Sequence, residues 1–196
     1  ILISKYLDHL PLYRLEQIAA RNGVILARST LADWVGRMGV VLQPLVDRLI
    51  WHLLQRDCLH ADETPVPQLD PGSGKTKKAY LWAYRSNDLQ PGPKIIVFDY
   101  QAGRGGRHAQ AFLQDWQGDL LVDDYGGYKA LFAAARAHPE TQQLIEPCLE
   151  LACWTHARRK FFDLFKANQS PMAQEALNRI AVLYAIEAEA RDLDCS

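Results

Sequence analysis

Asp62, within His60-Ala61-Asp62-Glu63-Thr64, and the neighbouring pair Asp123-Asp124 are the side chains of this sequence best placed to do chemistry. Each follows a short apolar run that reads as a strand, at 58–62 and at 120–123, and open α/β sheets place their sites at the carboxyl ends of strands. Pro65 and Pro67 then end the first strand, and Gly126-Gly127 lets the chain turn sharply after the second. If the two strands are parallel neighbours, the carboxylates converge and can hold magnesium or manganese, because hard cations prefer carboxylate oxygen. Two such ions, roughly 3.5–4 Å apart, would stabilise the attacking and leaving oxygens of an in-line phosphoryl displacement. On spacing alone the plainer alternative is that aspartates beside turns cap the next helix or solvate a loop.

Other strings carry weaker signals. Gly72-Ser73-Gly74-Lys75-Thr76 ends like a phosphate-binding loop, but the first glycine of that motif would fall at Leu69 and a strand follows instead of a helix. A solvated hairpin loop fits better, with Lys75, Lys77 and Lys78 available to a DNA backbone. Cys153 and His156 lie three positions apart with no second ligand pair at zinc-site spacing. His156, Arg158 and Arg159 open a helix and can meet DNA phosphate; the alternative is a solvated cationic helix start whose Phe161, Phe162 and Phe165 face the core. His60 shares a strand face with Asp62 and reads as a supporting group or a plain strand histidine.

The elements that must position these groups can be read from periodicity. Leu15, Ile18 and Ala19 fall at helical spacing before Asn22-Gly23 stops the helix. Thr30 and Asp33 have capping-box form, and Leu31, Trp34, Val35, Met38, Leu42, Leu45 and Leu49 continue a stripe that Pro44 should kink or split. This is either a helix-turn-helix, with Arg28, Ser29 and Arg37 set to meet phosphate or base edges, or a helical hairpin serving packing or dimerisation. Past Arg56 short apolar runs bounded by Pro and Gly predict strands at 58–62, 79–85 and 94–100 as an antiparallel meander. A helix at 108–116, a strand at 120–123, a helix at 128–137, a strand at 149–153, a helix at 156–166 and an amphipathic helix from Pro171 follow. The whole predicts an α/β fold, a mixed sheet with helices on its faces, preceded by a small helical segment.

The bulk properties agree. With 196 residues and 48% hydrophobic content the chain can bury one full core. No apolar run is long enough for a membrane span and no secretory signal opens the sequence, so a soluble, cytoplasmic protein is expected. The four cysteines show no Cys-x-x-Cys spacing and read as reduced thiols. A net charge of -1 counts mildly against nucleic-acid binding, which leaves that work to local basic clusters. The first residue is not methionine, and a helical pattern runs up to Asp194-Cys195-Ser196; both suggest a piece of a longer protein.

Five strings together resemble the bacterial DDE transposases of the insertion-sequence 66 family. They are Asp8-His9-Leu10-Pro11-Leu12-Tyr13-Arg14, Ser29-Thr30-Leu31-Ala32-Asp33-Trp34, His60-Ala61-Asp62-Glu63-Thr64-Pro65, Asp123 through Tyr128, and Cys153-Trp154-Thr155-His156-Ala157-Arg158-Arg159-Lys160-Phe161. They occur in the family's order across nearly the whole chain. The resemblance implies a ribonuclease-H-like core, dependence on Mg2+ or Mn2+, and cleavage and joining of DNA at the ends of a mobile element. It also implies assembly as a homo-oligomer on element-end and target DNA. Asp62 matches the first catalytic aspartate and Asp123 the second. Asp124 stands where the family usually has glycine, which makes it a further candidate metal ligand. The third carboxylate, a glutamate, is expected beyond residue 196; Glu175, Glu187 and Glu189 match a helical insertion instead. The family's amino-terminal zinc-binding segment has no counterpart here.

The expected organisation is a helical segment at 1–55, an incomplete catalytic core at 56–168 and the start of an insertion at 169–196. This piece alone is expected to be inactive or nearly so. Two rival readings stay open: a DNA-binding or assembly fragment without catalysis, and a ribonuclease-H-like nuclease or resolvase that hydrolyses without joining.

Overall fold

The structure is a computed structural model and describes residues 1–133, 135–137 and 141–192. It divides into two compact units, Ile1–His52 and Leu53–Ser196.

In the first unit α1 (Leu2–Tyr6) and α2 (Leu12–Arg21) precede α3 (Arg28–Leu53). The stop after α2 falls at Asn22-Gly23: the amides of Asn22 and Gly23 donate to Ala19 and Ala20, and Gly23 takes a φ of 75°, a conformation glycine adopts without a Cβ penalty. Arg28 ties the start of α3 back to α2 through Glu16, with Nη2 at 2.9 Å from Oε2. Leu31 alone is buried among the described residues of this unit, and the stripe beyond it stays open, with Leu45 63% exposed. Pro44 does not split α3, which runs on as one helix.

The second unit is built on a five-stranded sheet in the order β3-β2-β1-β4-β7. Its strands are β1 (Cys58–Asp70), β2 (Lys75–Ser86), β3 (Ile96–Gln101), β4 (Asp119–Val122) and β7 (Leu149–Ala152). The expected meander forms: β1 pairs antiparallel with β2, and β2 with β3. Both β1 with β4 and β4 with β7 are parallel. Between the strands come α4 (Arg107–Leu113), a 3-10 turn at Gly126–Tyr128, α5 (Lys129–Phe132) and a two-stranded ribbon of β5 (Arg136–Ala137) and β6 (Leu144–Ile145). Then α6 (Trp154–Asn168) and α7 (Pro171–Asp192) pack together. Leu59, Trp82, Tyr84, Leu113, Leu120 and Tyr128 are fully buried, and Tyr84 stacks on Phe112 at 3.8 Å between ring centroids. A mixed sheet of this strand order with helices on its faces agrees with a ribonuclease-H-like fold.

Three elements differ from expectation. β1 does not stop at Asp62 but continues through Pro65 and Pro67, paired with β2 as far as Asp70. Proline is tolerated where its missing N–H points to an unpaired edge, and β4 covers β1 only from Cys58 to His60. Asp62 therefore sits where β1 leaves β4, not at the end of a strand, and Lys75, Lys77 and Lys78 lie on β2 instead of in the loop. The helix expected at 128–137 shrinks to the turn and α5, since the chain then forms β5; residue 134 lies outside the described residues. Of the phenylalanines that the alternative reading of this helix puts in the core, Phe161 and Phe165 are half-buried, but Phe162 is 47% exposed.

Candidate metal centre

The parallel register sets Cys58 opposite Asp119 and His60 opposite Leu121. Carried two residues further, it places Asp62 beside Asp123. The β4–β7 pairing sets Val122 opposite Ala152, so the chain beyond β7 enters α6 alongside Asp123, with Cys153 as the N-cap. His156 then falls in the first turn of α6. Ligand atoms of Asp62, Asp123 and His156 all lie within 4.8 Å of one another.

Each carboxylate is steadied by a nearby amide. Asp62 Oδ1 accepts from the Glu63 N–H at 3.0 Å, and Asp123 Oδ1 accepts from the Tyr125 N–H at 2.9 Å. Asp62 is exposed, whereas Asp123 and His156 are half-buried. His156 Nδ1 is shielded from solvent and has no hydrogen-bond partner, which suits a nitrogen turned to a ligand better than one fixed by the protein. Two carboxylates and an imidazole are donors that fit a divalent cation.

Beside this group opens a cleft of about 410 Å³, lined by Arg104, Asp123, Tyr125, His156, Arg159 and Lys160 among others. Asp124 also borders the cleft but stands outside the three-residue group. Its carboxylate is paired with Lys160 at 3.2 Å and Lys129 at 3.7 Å. The hydrogen bond and charge of Lys160, then the charge of Lys129, hold its carboxyl below the ordinary value. Asp124→Asn is accordingly expected to change Mn2+ affinity by no more than about threefold, since exposed ion pairs contribute little. A larger loss in a Mn2+ titration would make Asp124 a ligand.

Beneath the group lies a polar set, centred on a buried carboxylate, that the sequence did not single out. Glu63 follows Asp62 on β1, and its side chain is fully buried. Glu63 Oε1 accepts from Arg104, with Nε at 2.8 Å and Nη2 closer, and Oε2 accepts from the Tyr128 hydroxyl at 2.7 Å. Burial, then the bond to Glu63, raise the Tyr128 phenol far above its ordinary value, so it stays a donor. The Arg104 guanidinium lies 3.7 Å from the centroid of the Tyr125 ring, and the Tyr125 hydroxyl donates to the Arg104 carbonyl. These loops approach closely: a Cβ at Gly106 would stand 2.1 Å from the Gly127 carbonyl oxygen. The only signal in the sequence was Glu63 itself, a charge in a strand position of core parity.

The remaining predicted residues are dispersed. Arg28 and Arg37 are ion-paired, with Glu16 at 2.9 Å and Asp33 at 2.8 Å. Lys75, Lys77 and Lys78 are exposed on β2, and Arg158 and Arg159 are exposed on α6. His60 is half-buried; burial, then Arg85, lower its pKa, and it does not join the three-residue group. Cys58, Cys148 and Cys153 form no disulfide among the described residues, while Cys195 lies outside them. Among the described residues no helix is long and apolar enough to cross a membrane.

The described residues thus form a ribonuclease-H-like sheet in which two acidic residues meet where adjacent parallel strands part. The chain belongs to the transposase IS66 family, whose model matches residues 1–195. It is 39% identical over 199 residues to the uncharacterized protein y4qI of Sinorhizobium fredii, a match covering 100% of this chain and 36% of that protein. Two further uncharacterized proteins of that organism, y4jD and y4hP, are 39% and 31% identical and are covered to 37% and 36% of their length, against 97% and 98% of this chain. The chain thus spans little more than a third of these relatives. No solved structure matches it.

Proposed function

We propose that this chain carries the first two carboxylates of a DDE transposase active site, Asp62 and Asp123, which bind Mg2+ or Mn2+ together with His156. The convergence of these three side chains within 4.8 Å is the observation that supports the reading most. A bound divalent cation supplies Lewis-acid stabilisation of the charge that develops on the transferring phosphoryl group.

The chain's own groups hold the substrate around that centre. Arg104, Arg159 and Lys160 border the cleft beside Asp123 and meet phosphate oxygens flanking the scissile bond, which fixes the strand in line for attack. In the first reaction water attacks phosphorus at the element end; the P–O3′ bond breaks, leaving a 3′ hydroxyl and a 5′ phosphate. In the second that 3′ oxygen attacks a target phosphodiester, one P–O bond forming as another breaks. Positioning and charge stabilisation account for most catalysis of this kind, so no covalent protein intermediate is needed. The exposed lysines of β2 and Arg158 track the DNA backbone, as do Arg28 and Arg37 once released from their acidic partners. Residues 1–55 act as the helical DNA-binding or dimerising segment, and α7 begins a helical insertion. The working enzyme is a cytoplasmic homo-oligomer on DNA, completed by a glutamate from elsewhere in the full-length protein.

A strand-transfer assay with labelled element-end DNA, full-length protein and Mn2+ tests the reaction. Joined products carrying the labelled 3′ end are expected. Hydrolysis without any joined product would identify a nuclease or resolvase instead.

A further inference from the structure

We propose that Glu63, Arg104 and Tyr128 form a positioning set that holds Asp62 and Asp123 at cation-sharing distance; this rests on the reading that those two aspartates share a metal ion. The β1–β4 ladder gives out at His60 and Leu121, two residues short of the two carboxylates. Backbone pairing therefore does not keep Asp62 beside Asp123, and some other link must. Glu63 provides it, because successive residues of a strand face opposite ways: Asp62 turns toward Asp123 and His156, and Glu63 to the core. The Glu63 carboxylate takes Tyr128, from the turn after Asp123, on one oxygen and Arg104, from the loop between β3 and α4, on the other.

The set closes into a ring. Tyr125, whose N–H holds Asp123 Oδ1, has its ring under the Arg104 guanidinium and its hydroxyl on the Arg104 carbonyl. Each aspartate is thus one or two residues from a group anchored to the same charge pair, which is buried on its Glu63 side. Packing alone gives no reason for that pair. Leu59 and Ala61, on the same face of β1, are buried apolar residues, and an apolar side chain at 63 would satisfy the core at least as well, since buried ion pairs seldom outdo apolar replacements in stability. What an apolar residue lacks is direction. Two oxygens accepting from two different loops set the azimuth of β1 and the height of the Asp123 turn together, as outer partners of metal ligands do elsewhere.

Tyr128→Phe removes one hydroxyl from the ring with little change of shape. In this chain it is expected to keep the wild-type circular dichroism and a cooperative melt while Mn2+ affinity, read by electron paramagnetic resonance, falls roughly tenfold. In the full-length protein kcat should fall, recover at raised Mn2+, and leave the Kd for element-end DNA unchanged; a merely structural role predicts no rescue by metal. A folded Tyr128→Phe chain that binds Mn2+ within about twofold of wild type would overturn the proposal, given the size of effect such partners have. Should Tyr128→Phe fail to fold, Arg104→Lys carries the two Mn2+ outcomes in this chain, without the DNA readout, because Arg104 also borders the cleft. Asp62→Asn run alongside separates the premises: wild-type Mn2+ affinity in that variant would remove the metal site itself, whereas its loss with an unaffected Tyr128→Phe would remove only the positioning role.

Discussion

Alanine at Asp62 or at Asp123 in the full-length protein is expected to lower cleavage of element-end DNA on the order of a thousand-fold or more. The two side chains are proposed to act as one unit, since their ligand atoms lie within 4.8 Å of each other and of His156. If they share a cation as proposed, removing either removes it, and the double variant should be little worse than the single ones. DNA affinity should hold or rise slightly, because phosphate contacts come from basic side chains and each substitution deletes a negative charge beside the cleft. The pairing of lost cleavage with retained binding is the signature to look for, by gel-shift and nicking assays on the same preparations. Cleavage that survives both substitutions would favour a DNA-binding or assembly role for this core.

The second large effect concerns stability. Arg104→Ala leaves Glu63, whose side chain is fully buried, without its cation. Stripping one partner from a buried pair typically costs 3–5 kcal/mol; since the Arg104 side chain is 43% exposed, about 3 kcal/mol is the expected loss. For a unit of this size that corresponds to a melting temperature lower by roughly 10 °C. Glu63→Gln should cost less, because it removes the buried charge and keeps an acceptor for Tyr128, while Arg104 can turn to water. Thermal melts that rank Glu63→Gln as the more damaging change would show that the charge pair is not what sets the stability of these loops.

How far the sequence could be read varies with the range of the interactions involved. The strands around Asp62 and Asp123 were legible because apolar runs ending in acidic residues are local features, whereas their parallel pairing entered only as a condition that the β1–β4 register meets. The length of β1 was not: Pro65 and Pro67 look like strand breakers until it is known that β4 leaves that edge open past His60. The short α5 and the β5–β6 ribbon were hidden for a similar reason, since pairing with Leu144–Ile145 competes with a helical pattern only after the chain has turned back. In the site, the convergence of the two aspartates could be anticipated, whereas His156 as a neighbour to both required the register of β7 on β4. Asp124 and Asp123 are alike in sequence and differ only in what faces them, Lys160 and Lys129 for the one and Asp62 and His156 for the other. The Glu63–Arg104–Tyr128 set joins three separate segments and left only a charged residue at a core-facing strand position as its trace.

Mn2+ binding to this chain, followed by electron paramagnetic resonance in wild type, Asp62→Asn and Asp123→Asn, tests the shared cation most directly. The expected result is one bound ion in the wild type, with its hyperfine signal altered by His156 nitrogen, and binding lost in each variant. Equal Mn2+ binding in all three proteins would mean that the two aspartates do not form a metal site.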